Sequence, residues 1–473
     1  MENNIWKKIS PEIIVALILF LLLGTLGLLV NTTGDSGDSI LHFLYSRGSF
    51  SHPVFFLHHW AKPLFVLVSA PFSQFGFKGI ILFNCLMVAL IAHVTFLTAR
   101  TLKLNNAWLV YVLILGCPLF LKLTFSGLTE YLFGLVLVLS VYLAVKTRYL
   151  AAVIVVSFLP FVRSEGLIVL GVFGLFMVFR KRFTLLPWLL TGHLVYSLAG
   201  FFYYRDFFWV FTKIPYRNLG SQYGSGKIFD FIHRLNYVIE KPVFALLVIG
   251  LAALFIRFVM AKPRKAEDGG LWLVCALFLA VFIAHSLFWW LGIFNSMGLP
   301  RVLIPLVPMV ALIALSGIGA VSSGLGKTGR QVLIGMILLV VSVYPFTHRE
   351  KGVVFNQDMF RLPDNELIDK KVVPYLKSNT GNLSGRLLYY SHAYFSVTLD
   401  IDHFNDSLHR DLLRLSGEVP PKGAVVIWDD WFSVVENGVT LERLKNIGNL
   451  KLLKEFETHD HDRVVKFVVF IAS

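Results

Sequence analysis

Eleven long runs of apolar residues, nearly free of charge, fill most of the first 346 positions and leave this chain few ways to fold. They cover residues 12–30, 79–99, 107–122, 127–145, 149–162, 166–179, 184–204, 242–261, 271–292, 301–318 and 331–346. A helix that crosses a bilayer needs about 20 mostly apolar residues, because hydrocarbon offers no partner for backbone polar groups. Only 15% of the 473 residues are charged and 56% are hydrophobic, whereas a soluble domain carries about 25% charged residues. The expected class is therefore a mostly α polytopic membrane protein with about eleven transmembrane helices. The runs 149–162 and 166–179 are short, and read either as two spans or as one re-entrant element.

The net charge of +14 follows this topology rather than a nucleic-acid partner. Lys7 and Lys8, Arg100 and Lys103, Lys146 and Arg148, Arg180 to Arg182, Lys262 to Lys265, and Lys327 with Arg330 sit between the runs. Counting 149–179 as two spans places every cluster on the cytoplasmic side, as the positive-inside rule requires. No basic stripe interleaved with aromatics is present, so no nucleic acid is expected. The N-terminus is then cytoplasmic, the first run a retained anchor rather than a cleaved signal, and residues 347–473 extracytoplasmic. Cys85, Cys117 and Cys275 all lie in apolar runs and imply no disulfide framework. Short loops suit a bacterial inner membrane, and the Asn-x-Ser/Thr triplets at Asn31, Asn382 and Asn405 arise readily by chance.

Three outward segments exceed a simple turn. Residues 31–78 hold two amphipathic stretches, SILHFLYSRG and KPLFVLVSAPFSQFG. Residues 205–241 are aromatic and basic around GSQYGSG, the composition of a loop able to close over a ligand. Residues 347–473 alternate helical stretches (NELIDKKVVPYLKS, LERLKN) with strand-like ones (GRLLYYS, GAVVIWDDW, VVKFVVF), the pattern of a small α/β domain.

Charges at the outward ends of the spans carry the chemistry. Asp35 and Asp38 follow the first run at once, in TTGDSGDS. One reading is a turn with an Asp or Ser cap for a helix beginning near Ile40; the other gives Asp38 a catalytic role. Glu130 opens a span, Arg163 and Glu165 lie between two short ones, and Arg301 opens another, all on the side of Asp38. Ionisable residues at such depth are costly and usually functional, although Arg163 and Glu165 also read as an ion pair or cap. His52-Pro53 and Lys62-Pro63 flank His58 and His59, whose side chains diverge and make a poor metal site. A carboxylate here can take a proton from a hydroxyl, while cations bind a lipid phosphate and stabilise it as a leaving group. Sugar transfer from a polyprenyl-phosphate donor needs this combination.

In this layout the chain resembles the GT-C superfamily of integral-membrane glycosyltransferases, and within it bacterial mannosyltransferase-like members. The resemblance spans essentially residues 1–346 and rests on GDSGDSI, SHPVFF, KPL, TEYLF, RSEG and GLPRVLIPLVP. It implies a catalytic domain over 1–346 followed by an extracytoplasmic domain over 347–473. It carries the family's first-loop catalytic base to Asp38 first and Asp35 second. The implied reaction is inverting transfer of a single hexose, mannose foremost, from a polyprenyl-phosphate sugar to a hydroxyl of a glycan, lipid or protein. Arg163 and Arg301, with Lys62 or Arg217, would hold the lipid phosphate; Glu130 and Glu165 would bind sugar hydroxyls or orient the arginines; His52 is a further candidate substrate-binding residue. No cofactor and no metal are expected. The first loop has Asp-Ser where an Asp-Glu pair is usual, and WDDWF at 428–432 only echoes the oligosaccharyltransferase signature, which disfavours en bloc glycan transfer.

The competing readings are a transporter, a flippase of lipid-linked glycans, or a glycan polymerase. A transporter is expected to show internal repeats and a midplane site; neither is visible here. WDDWF reads either as sugar-stacking tryptophans or as a strand end packed on a helix, and ETHDHDR at 457–463 as a hairpin loop rather than a cation site.

Overall fold

The computed structural model describes residues 11–215, 220, 221, 223–260, 266–347, 352–380, 383, 385–460 and 463–473. Arg217, Lys7, Lys8, the 262–265 cluster and Asn382 lie outside the described residues.

Helix α1 (Pro11–Leu29) leads into a long segment between spans, which holds α2 (Asp38–Gly48) and α3 (Pro63–Ser73). The chain continues through α4 (Phe77–Thr101), α5 (Leu109–Leu115), α6 (Pro118–Thr124), α7 (Glu130–Val145), α8 (Tyr149–Val156) and α9 (Gly166–Phe179). Helices α10 (Thr191–Tyr204), α11 (Trp209–Thr212), α12 (Asp230–Met260), α13 (Ala266–Leu291), α14 (Val307–Ser323) and α15 (Lys327–Val343) complete the helical part. Among the described residues seven helices are long and apolar enough to cross a membrane, and each coincides with one of the eleven runs.

Among the described residues the other four runs do not form full-length spanning helices. The runs at 130–145, 149–161 and 166–179 form shorter helices. The run 107–122 breaks between α5 and α6, where Pro118 cannot continue the helix begun before it. Residues 205–241 are not a loop throughout, since α12 already begins at Asp230. That helix kinks at Glu240, two residues before Pro242, where the apolar run begins.

Small residues let the spans approach closely. A Cβ added at Gly317 would lie 2.7 Å from the Gly250 Cα, and one at Gly250 would lie 2.1 Å from the Ile313 carbonyl oxygen. Helices α12 and α14 therefore touch backbone to backbone, the contact that glycine permits between helices in lipid. Gly317→Leu is expected to force them apart and lower the thermal unfolding midpoint in detergent, a loss that Gly317→Ala shows in milder form.

The C-terminal part is a five-stranded mixed sheet in the order β2-β1-β3-β5-β4. Its strands are β1 (Leu388–Tyr390), β2 (His409–Arg410), β3 (Val425–Asp429), β4 (Leu450–Asp460) and β5 (Arg463–Ala472). Strand β1 runs parallel to β2 and β3, while β5 is antiparallel to β3 and β4. Every residue of β3 is buried, matching its apolar run Val425–Trp428, and the buried Asp429 that ends it is held by local donors. Glu457–Asp460 end β4 and Arg463 begins β5, antiparallel strands as the hairpin reading expects; His461 and Asp462 lie outside the described residues.

This region docks on the acid-bearing end of the helices. Phe360 packs edge-on against Phe125 (5.3 Å), and the buried Asn365 amide donates to the Thr33 hydroxyl at 2.8 Å. The sheet and Asp35/Asp38 therefore lie on the same side of the bilayer. Asn365→Ala is expected to cost about 1 kcal/mol, read as a lowered unfolding midpoint.

Candidate active site

Six charged side chains from separate helix ends meet in one cluster. Lys78 caps the last carbonyls of α1, donating to Gly27 O at 3.2 Å and to Val30 O, and so aims the chain out of the membrane. Gly34 then takes a left-handed conformation (φ +78) directly against Ser126, whose Cβ a side chain at Gly34 would strike. The Ser39 hydroxyl donates to Thr33 O and accepts from the Gly127 amide at 2.7 Å. Across the same turn, Asn84 donates to Ser126 O (2.7 Å) and Leu128 O (3.1 Å). These contacts bring the acid loop beside the N-terminus of α7, where Glu130 sits.

Asp35 does two things at once. Its Oδ1 accepts the amides of Gly37 and Ser39, both at 3.0 Å, which caps α2. Its Oδ2 pairs with Arg301 Nη1. Asp38, the first residue of α2 rather than a position before it, pairs through Oδ2 with Arg301 Nη2. The cap expected in this stretch is supplied by Asp35, and Asp38 is left to pair with Arg301. Arg301 Nε also lies 3.8 Å from Glu130 Oε1.

A second arginine continues the network. Arg163 bonds Glu130 through Nη1 at 2.9 Å, Glu165 through Nη2 at 2.9 Å, and the Thr129 hydroxyl at 3.2 Å. Behind Glu165 stands His285 of α13, its Nε2 at 3.7 Å. Arg163 and Arg301 were expected to face a phosphate; in the structure both guanidiniums are engaged by carboxylates.

Exposure separates the acids. The Glu130 side chain is 1% exposed, that of Asp35 27% and that of Asp38 43%, so Asp38 is the most accessible carboxylate of the three. Burial opposes ionisation of Asp38, but Arg301, helped by His42 and Arg163, outweighs it and holds the pKa below the usual carboxylate value. At Asp35 burial dominates and raises the pKa. Two carboxylates whose environments push them apart are the pattern of divided roles, and Asp38 is the one kept ionised. Burial likewise opposes Glu165, yet Arg163 draws it down to about 2.

Lys62 stands just before α3 with its backbone at φ +68, a conformation costly for a side-chain-bearing residue. It is buried, which lowers its pKa to about 8, and the charges of Glu165, Arg163, Asp38 and Glu130 all act on it. His42, one turn after Asp38 on α2, is also buried; burial pushes its pKa to about 3 and keeps it neutral. It stacks on Trp60 at 5.0 Å.

The remaining candidates lie elsewhere. His52 bonds Asp402 at 3.0 Å and packs on Phe55 and Phe404, at the join with the C-terminal region. His59 bonds Val210 O at 2.8 Å, while His58 stacks on Tyr45, so the pair shares no centre. Among the described residues no group of three His, Cys, Asp or Glu side chains is arranged around a metal position. Trp428 is buried with its indole N–H on Val439 O (2.9 Å), which rules it out as a sugar platform.

Sequence reading overlooked Thr129, His285 and His42. His285 had a usable signal, a lone polar ring inside an apolar run, and His42 another, the four-residue spacing from Asp38. Thr129 had none.

No protein-family model matches this chain, and no curated protein sequence does either. Solved structures do. ArnT from Cupriavidus metallidurans bound to undecaprenyl phosphate superposes with a TM-score of 0.60, at 11% identity over 97% of both chains. Its apo form gives 0.62 at 10% identity, again over 97% of both. ArnT is a GT-C glycosyltransferase.

The chain has the GT-C fold. Coverage of 97% includes the C-terminal sheet, so the GT-C likeness extends over helices and sheet together rather than over the helical part alone. At this identity it is a likeness of fold. In that fold the acid–arginine cluster sits at the end of the helix bundle nearest the sheet.

Proposed function

We propose that this protein is an inverting glycosyltransferase that moves a single hexose from a polyprenyl-phosphate donor to a hydroxyl acceptor at the outer membrane surface. Asp38 carries the reading: a half-exposed carboxylate, kept ionised by Arg301, at the mouth of a charged cluster in a GT-C fold. The ArnT structure with undecaprenyl phosphate supports a lipid donor of this kind.

The acceptor oxygen attacks the anomeric carbon, the bond from that carbon to the phosphate oxygen breaks, and the acceptor proton passes to Asp38. Polyprenyl phosphate leaves with one more negative charge than it had as the diester. Arg301 fixes the two aspartates by pairing one nitrogen with each, the bidentate geometry in which arginine exceeds lysine. Arg163 holds Glu130 and Glu165 in place. Lys62 supplies the positive charge for the leaving phosphate. Mannose is the sugar to try first, with residues 1–346 as the catalytic part and 347–473 facing outward; the N-terminus is cytoplasmic.

Purified protein given polyprenyl-phosphate-mannose and polyprenyl-phosphate-glucose, each with labelled sugar, tests this. Labelled product together with released polyprenyl phosphate supports it. Movement of intact donor between leaflets without release would mark a flippase instead. A pH dependence follows from Lys62, whose ammonium is lost near pH 8 in the folded protein. KM for the donor is expected to rise above that pH, and Lys62→Arg to move the rise beyond pH 10, since Arg stays charged.

A further inference from the structure

Within WDDWF Trp428 is buried and Trp431 carries the Arg463 guanidinium over its ring at 5.4 Å, and the contacts of Asp429 and Phe432 assign the stretch a further task. Asp429, buried at the end of β3, accepts the amides of Trp431 (3.1 Å), Phe432 (2.5 Å) and Ser433 (3.3 Å) and the Ser433 hydroxyl (2.7 Å). Four donors on one carboxylate fix the start of a π-helical turn, Phe432–Glu436. Such turns are rare and gather at functional sites.

This turn reaches the acid loop. The Phe432 ring lies over Gly37, where an added Cβ would meet its Cε1 at 3.4 Å. Gly37 stands between the two aspartates and donates its amide to Asp35. The buried His392 ring packs edge-on against Phe432 at 4.9 Å. At the other end of the turn, Glu436 accepts from the Tyr223 hydroxyl at 3.1 Å. Tyr223 belongs to the outward segment 205–241, so five residues link the acid loop to that segment. Asn365 supports the loop from a second point, through Thr33, whose hydroxyl donates to Asp35 O at 2.7 Å.

We propose that the turn Phe432–Glu436 is a positioning clasp. Phe432 holds Gly37 so that Asp35 keeps its backbone donors and Asp38 stays presented to substrate, while Glu436 ties that geometry to the segment carrying Tyr223. The roles of the aspartates rest on the glycosyltransferase reading above. The clasp makes the C-terminal region part of the catalytic apparatus without placing any of its side chains on the substrate.

Amide hydrogen exchange and sugar transfer, measured together on the full chain, test it. Phe432→Ala is expected to speed exchange in residues 33–41 about tenfold. It should also lower kcat by ten- to a hundredfold, on the order expected for a misplaced catalytic group, with KM little changed. Phe432→Leu, which keeps the bulk, should restore most of both. Tyr223→Phe, which removes one hydroxyl, should speed exchange in 33–41 to a smaller degree. Exchange in the β4–β5 hairpin reports whether Phe432→Ala has loosened the whole region; if it has, Tyr223→Phe decides.

Unchanged exchange in 33–41 in both variants would overturn the clasp. So would unchanged kcat in Phe432→Ala when Asp38→Asn has abolished transfer, and the transfer reading would then stand. A wild-type protein that transfers no sugar would sink that reading alone, because the exchange measurement does not depend on turnover.

Discussion

Asp38→Asn is expected to lower sugar transfer on the order of 10²–10⁴-fold, the usual contribution of a positioned general base. The amide is nearly isosteric and retains an oxygen that can face Arg301, so the fold and donor binding should persist. What disappears is a group able to receive the acceptor's proton. Asp35→Asn is expected to cost less, about tenfold: its Oδ1 already serves the Gly37 and Ser39 amides, a positioning role that an Asn oxygen partly preserves. Initial rates of labelled transfer, with melting profiles to confirm folding, separate the two. Equal and complete loss in both variants would mean the aspartates act as one unit, and undiminished transfer in both would place the base elsewhere.

Arg301→Met is expected to destabilise the protein by about 3–5 kcal/mol, the range for removing one partner of a buried ionic network. Arg301 pairs with Asp35 and Asp38 and lies near Glu130, which itself retains Arg163 at 2.9 Å. Without it two aspartates face each other uncompensated. Adding Asp35→Asn in the Arg301→Met background should recover part of the loss, a non-additivity that a double-mutant cycle in detergent unfolding measures. The pH dependence has a definite sign. Asp38 has a lowered folded pKa, so its contribution to stability is present above the unfolded value of about 3.9 and lost as pH falls through the folded one. That acid-labile component should vanish in Arg301→Met, and the acidic limb of the pH–rate profile should move to higher pH as Asp38 becomes a stronger base.

Both results turn on features that differ in how far they were legible beforehand. The amphipathic stretches at 39–48 and 62–76 became α2 and α3 because a helical face is written in local spacing. The β4–β5 hairpin and the helices after Pro363 were legible for the same reason. The helix count was not, because a run of apolar residues says nothing of its own breaks. Pro118 divides one run and the short α8 and α9 never reach spanning length.

Charge placement was legible only as a tendency. Asp38, Glu130, Arg163, Glu165 and Arg301 were expected at one surface, since positive loops fix the direction of every span. Which charge meets which was hidden. Arg301 lies 263 positions from Asp38, and only the packing of the segments that carry them brings the two together. His52 shows the converse: its place in the first loop suggested a ligand role, and packing turned it toward Asp402.

By itself the sequence determined that this chain enters a membrane many times and carries acids and arginines at one face. Hydrophobicity and charge act locally there, through transfer free energy and the membrane's asymmetry, and need no knowledge of neighbours. Tertiary structure alone decided that Arg301 joins the two aspartates, that Asp38 is the more exposed of them, and that Phe432 closes on Gly37. Those outcomes depend on distances between helix ends far apart in sequence, which close packing of the whole molecule sets to within an ångström.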